Sequence, residues 1–191
     1  MRLLMIGAPG AGKGTQAQRL AERLQISHIS SGDLLRTHVT ENTSLGLAVK
    51  QYLARGDLVP DSMVMDMLYK PVVSANESGG YILDGFPRTV EQAESAYLTA
   101  KDLGVQVQVA IYLEVPRPEL VRRLLDRGRG AEDTQEVIEH RLEVFEEHTR
   151  PMLDYYATRE KLLTVNGSRP VDEVSWSLMV QLQKVRRELI G

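Results

Sequence analysis

Gly7-Ala8-Pro9-Gly10-Ala11-Gly12-Lys13-Gly14-Thr15 is the stretch on which the reading of this chain turns. It follows a short apolar run, Arg2-Leu3-Leu4-Met5-Ile6, and opens a segment with helical spacing. Strand, glycine-rich turn and helix start in that order make an anion nest. Glycines let successive N–H groups turn inward, and the helix N-terminus adds its partial positive charge. Lys13 then reaches the β- and γ-phosphates of a nucleoside triphosphate, and the Thr15 hydroxyl meets Mg²⁺ directly or through those phosphates. The strict pattern has Ser or Thr directly after the lysine, whereas Gly14 intervenes here. A plain tight turn would need neither the lysine nor the hydroxyl, so the stretch reads as a triphosphate site.

Working outward, short apolar runs at 2–6, 27–30, 81–84, 109–114 and 162–165 read as strands. They are continuous rather than alternating, as strands covered on both faces are. Helical patterns lie between or after them at 15–24, 45–54, 62–73, 91–103 and 119–127, with a C-terminal one from Val171. This alternation predicts a parallel sheet flanked by helices, an α/β fold. Two regions interrupt it. Residues 30–60 hold two helical patterns and no strand between them, and residues 126–134 form a short polar stretch with two glycines. Both read as surface excursions or as moving parts over a site.

At 191 residues, with roughly 100–200 residues per domain, a single domain is expected. No Pro/Gly/Ser-rich linker, repeat or low-complexity segment divides it. Hydrophobic residues make up 42% and charged residues 26%, enough for a sizeable core and against intrinsic disorder. The net charge of −3 gives no general surface for nucleic acid or an anionic membrane, and neither partner is expected. With no cysteine, disulfides, thiolate catalysis and Cys-ligated zinc are excluded. No apolar run approaches the roughly 18 residues of a membrane span, and Gly7 cuts the N-terminal run too short for a signal peptide. A cytoplasmic protein is the expectation.

Three further features carry chemistry. Asp84, in Tyr81-Ile82-Leu83-Asp84-Gly85-Phe86-Pro87-Arg88, ends a buried strand where α/β sheets place their ligands. It reads either as the carboxylate that holds waters around Mg²⁺ or as a cap in a Gly/Pro turn. Arg88 stands near the same edge, where a guanidinium fork matches phosphate. Arg36 follows a helix start at Ser30 to Asp33, with a serine as N-cap. A helix from about Thr134 places Ile138, Leu142, Phe145 and Met152 on one stripe, and Arg141 falls on it. A charge facing inward has either an acidic partner or a ligand. The acids between Glu132 and Glu147 read as a solvated helix face. His28, His38, His140 and His148 show no ligand-like grouping, and Trp176 reads as core or surface.

These residues resemble the adenylate kinase family along essentially the whole chain. The resemblance is carried by 7–16, Ser31 to Arg36, Gly56-Asp57-Leu58-Val59-Pro60, Asp84 to Thr89 with Gln92, and Arg127-Gly128-Arg129. It implies a P-loop core of five parallel strands with a small helical monophosphate-binding insertion at 30–59 and a short lid at 126–136. It implies the reversible reaction of Mg·ATP with AMP to give two ADP. By the same resemblance Gly10, Ala11, Gly12, Lys13, Gly14 and Thr15 with Arg127 hold ATP, and Arg169 falls where the family lays backbone on the adenine. Ser31, Arg36, Asp57, Leu58, Val59, Gly85, Phe86, Pro87, Arg88, Gln92, Arg129 and Arg141 resemble the AMP site. Lys13, Arg88, Arg127, Arg129 and Arg141 stand as the catalytic set, and Thr15 and Asp84 as the Mg²⁺ side, largely through water. Ser31 replaces a usual threonine but keeps the hydroxyl. The lid is far shorter than in members that bind zinc through cysteines, so no zinc is expected. The expected partners are ATP, AMP and ADP, and the expected state is a monomer. Two alternatives remain: a kinase for UMP or CMP, and a P-loop switch that uses ATP to change partners.

Overall fold

The computed structural model describes residues 1–190, with Lys161, Leu189 and Ile190 described by main chain alone. Five strands, β1 (Arg2–Ile6), β2 (Ser27–Ser30), β3 (Tyr81–Asp84), β4 (Val109–Glu114) and β5 (Lys161–Asn166), pair in the order β2-β3-β1-β4-β5. Every pairing is parallel. Parallel neighbours need crossover helices, and these cover both faces. Side chains of β1 alternate between two cores. Leu3 and Met5 join Ala17, Leu20, Leu124, Ile138 and Leu178 on one face. Leu4 and Ile6 join Leu35, Val64, Leu68, Phe86 and Met152 on the other.

The helices are α1 (Lys13–Leu24), α2 (Ser31–Thr40), α3 (Ser44–Arg55), α4 (Asp61–Glu77), α5 (Val90–Asp102), α6 (Arg117–Arg127), α7 (Gln135–Val144), α8 (Met152–Arg159) and α9 (Val171–Ile190). Their starts follow local chemistry. Ser30, Thr43, Thr89 and Thr134 each accept a hydrogen bond from the backbone N–H three residues on, the N-cap arrangement. α4 runs through Pro71 to Glu77, beyond the expected end near 73. α7 does not continue as one helix into Met152, because a five-residue π turn (Phe145–Thr149) separates it from α8. Pro151 explains the break. It has no N–H to give Glu147, and its ring crowds that carbonyl. The chain widens instead, and Arg150 N–H donates to Phe145 O at 2.9 Å.

The sheet order places β1 at the centre, with the chain crossing to β3 on one side and β4 on the other. Ligands of open α/β sheets sit beyond the carboxyl ends of the strands at such a switch point. Register brings three of those ends level: Met5 and Ser30 both lie beside Asp84. No helix among the described residues is long and apolar enough to cross a membrane.

Candidate active site

Beyond β1 the main chain turns sharply: Ala11 N–H donates to Ala8 O at 3.1 Å, and Gln16 N–H donates to Gly12 O at 3.0 Å as α1 begins. Gly10 takes φ +84°, and a Cβ there would stand 2.9 Å from Leu124 Cγ of α6. Only glycine meets both demands. Lys13 Nζ donates to the Gly7 and Ala8 carbonyls at 2.8 and 3.1 Å. Burial brings its pKa down to about 8; the Asp84 carboxylate opposes that, while Arg88, Arg141 and Arg127 push the same way as burial. α1 is tied to α9 through Gln16, whose amide donates to Val171 O and accepts from Ser175 Oγ. That fixes the turn at 167–170 against the phosphate loop.

Beyond β3 the chain makes a second tight turn. Asp84 is 7% exposed, and its Oδ2 lies 3.9 Å from His28 Nε2. Gly85 has φ +84°, and a Cβ on it would meet Ser31 Oγ at 2.7 Å. A cis peptide joins Phe86 to Pro87. Arg88 is held at three points. Its N–H donates to Gln92 Oε1 at 2.7 Å, its Nε donates to Gly85 O at 2.7 Å, and its carbonyl accepts from Thr149 Oγ1 at 2.8 Å. The Gln92 amide in turn donates to Asp61 Oδ1 at 2.6 Å. Burial lowers the pKa of the Arg88 guanidinium against the pull of Asp84.

The arginines of the polar excursion are organised by one carboxylate. Asp133 accepts Arg127 Nε and Nη2 at 2.9 and 2.6 Å, and the Arg129 N–H at 2.9 Å. Arg141 Nη1 stands 3.6 Å from the same carboxylate and donates to Glu132 O at 3.2 Å. Arg141 therefore has the acidic partner that one reading of its inward charge called for, and it also lines the cleft. Burial, then Arg127 and Arg88, bring its pKa down to about 10. Asp133 itself corrects an expectation. The acids from Glu132 onward do not all form a solvated face, because this one is 7% exposed. Glu132 carries the network further: its carboxylate is 3.6 Å from Arg36 Nη1 and 4.0 Å from Arg141 Nη1. Arg36 is also held by Asp33 at 2.5 Å.

The phosphate loop, Asp84 and these arginines open on one cleft of about 910 Å³, at the large end of small-ligand sites. Lining it are Gly10 to Thr15, Arg36, Leu58, Asp84, Gly85, Pro87, Arg88, Arg127, Arg129, Arg141 and Arg169. Ser31, Asp57, Val59, Phe86 and Gln92 do not line it: Ser31, Val59, Phe86 and Gln92 are buried behind that surface, and Asp57 turns its carboxylate to His140 Nε2 at 2.7 Å. The sequence reading missed four groups that the fold brings in. Arg123, held by Glu119 at 2.7 Å, lines the cleft one helical turn before Arg127. That four-residue spacing was the available signal. His28, Thr149 and Asp133 carry no such local mark.

The fold and this cleft define a P-loop phosphotransferase. Comparison with known proteins agrees. The family description "Adenylate kinase" matches residues 5–161. The chain is 45% identical to adenylate kinase 1 of Nostoc sp. over 181 residues, covering 95% of this chain and 98% of that one. It is 40% identical to the adenylate kinase of Trichodesmium erythraeum over 190 residues, covering 97% and 99%. It is 45% identical to that of Mycobacteroides abscessus over 174 residues, covering 91% and 94%. The chain belongs to the adenylate kinase family and is a nucleoside monophosphate kinase.

Proposed function

We propose that the cleft holds Mg·ATP and AMP end to end and passes the γ-phosphoryl group between them, giving two ADP reversibly. One observation carries this reading. Lys13, Arg36, Arg88, Arg127, Arg129 and Arg141 come from five separate segments and face one cavity. A P-loop switch needs cations for a single triphosphate; this set also serves an acceptor phosphate. In this reading the loop at 7–15 and Arg127 hold the triphosphate, with Arg123 and the turn at Arg169 beside its base. The insertion at 30–59, with Arg36 and Gly85 to Arg88, holds the monophosphate, and residues 126–136 act as the lid. For Gln92 to read the base, its amide exchanges Asp61 for the nucleotide. The whole site comes from one chain, so a monomer suffices, and the reading places it in the cytoplasm.

The donor set fits magnesium. Asp84 and Thr15 would offer it oxygen ligands at the phosphate loop, and Mg²⁺ binds through one or two such groups, substrate phosphates and water. When bound, Mg²⁺ neutralises charge on the β- and γ-oxygens.

The acceptor is already an ionised phosphate, so no general base is needed. Catalysis reduces to aligning two phosphates and stabilising spread charge. ATP and AMP bring roughly six negative charges. The six cations do not all act unopposed, because Asp33, Asp84, Glu132 and Asp133 stand among them. Asp33 orients the Arg36 fork and Asp133 the Arg127 fork. Arg127 gives Nε and Nη2 to Asp133 and keeps its other edge for phosphate. Arg88→Ala should lower turnover about 10²–10³-fold, the loss typical of one preorganised donor, while circular dichroism and melting show a folded protein. Unfolding of the variant at 25 °C, or turnover within a few-fold of wild type, would contradict the assignment.

A further inference from the structure

Thr149 is 8% exposed and reaches the cleft from the π turn between α7 and α8. Its hydroxyl hydrogen is committed to the Arg88 carbonyl, 61 residues away in sequence. A hydroxyl that spends its one proton there has only lone pairs to turn toward a phosphate, so it is no anion ligand itself. What the bond does is mechanical. Arg88 is fixed by Gly85 of its own loop and by Gln92 at the start of α5, itself tied to Asp61 of α4. Neither anchor reaches the second arginine; Thr149 ties Arg88 to the continuation of α7, the helix that carries Arg141. Arg88 and Arg141 line the same cleft, and the charge of Arg88 helps lower the pKa of Arg141. The π turn forced by Pro151 is where the tie is made, in keeping with the concentration of π-bulges at functional sites.

We infer that Thr149 is a positioning residue for phosphoryl transfer: its hydrogen bond to the Arg88 carbonyl sets the distance between Arg88 and Arg141 around the acceptor phosphate. The inference rests on the proposed adenylate kinase reading of the cleft. It differs from a role in stability by which kinetic constant it moves. Misplacing one arm of a phosphate clamp by about 1 Å costs on the order of 10²-fold in rate, and the cost falls on the acceptor side.

The test is steady-state kinetics of Thr149→Val, Thr149→Ala and Thr149→Ser beside wild type. The valine variant keeps the shape and loses the proton; the alanine–serine pair differs only in the hydroxyl. Thr149→Val and Thr149→Ala should lose about 10–100-fold in kcat/KM for AMP, with KM for ATP within about twofold of wild type. Thr149→Ser should return to within about threefold of wild type. Should the valine variant fail to fold, the alanine–serine comparison decides. Equal kcat/KM for AMP in alanine and serine variants, or a parallel loss on the ATP side, overturns the positioning role. Wild type without ATP-plus-AMP turnover would instead overturn the reading of the cleft, and the inference with it.

Discussion

The ammonium of Lys13 is enclosed by the loop it belongs to, and burial brings its pKa from 10.5 to about 8. At pH 7 it is still charged, but a modest rise in pH discharges it. A polyphosphate beside it raises the pKa again, because an opposite charge favours the ammonium. Binding of ATP should therefore take up protons above pH 8, and affinity should weaken as pH climbs from there. Calorimetry at pH 8.5 in two buffers of different ionisation enthalpy should show this uptake in wild type and none in Lys13→Met; equal uptake in both would contradict it. The same shift bears on stability, with the opposite sense to a salt bridge. The folded-state pKa lies below the unfolded one, so the charged lysine costs stability at every pH below about 8, and the cost fades as pH rises toward 10.5. Lys13→Met should then melt no lower than wild type at pH 7, since relief of on the order of 3 kcal/mol at most offsets two carbonyls left without a donor. A melting point well below wild type would sink this account.

At the scale of elements, the central strands β1, β3 and β4 were legible because each is short, mostly apolar and set between segments of helical spacing, and the helices because their caps are local. The phosphate loop was legible for the same reason: its glycines, lysine and hydroxyl lie within nine residues. The arginine network was only half legible. The pattern placed Arg141 on the apolar stripe of α7, but nothing local announced that Asp133 would be buried beneath three arginines. Thr149 was invisible for a like reason, since its partner lies 61 residues away. Burial of a polar group is settled by what packs over it, not by its neighbours in sequence. The same network bears on movement. Glu132 reaches Arg36 of α2, and His140 reaches Asp57 beyond α3. Both contacts join the insertion to the lid side through partly exposed groups, so each is weak alone. Because the proposed lid is short, the proposed insertion at 30–59 should make the larger excursion between free and liganded states. The chain has no cysteine, so spin labels on Leu47→Cys and Leu125→Cys, both exposed positions, report it cleanly. The distance distribution should narrow and shorten when ATP, AMP and Mg²⁺ are added together. A distribution unchanged by both nucleotides would show the insertion to be fixed.

For the molecule as a whole, the sheet order puts the phosphate loop at the switch point, and two excursions from the sheet bring a second set of cations over it. That arrangement makes transfer between two nucleotides the central claim, more than ATP binding. The direct measurement is ADP formation from ATP with AMP, UMP, CMP and GMP offered in turn, with and without Mg²⁺. The account predicts strong turnover that needs Mg²⁺ and selects AMP. Turnover led by a pyrimidine monophosphate would keep the mechanism and overturn the assignment of the base site around Gln92. Binding of ATP with no turnover on any acceptor would contradict the account and leave a phosphate-loop switch in its place.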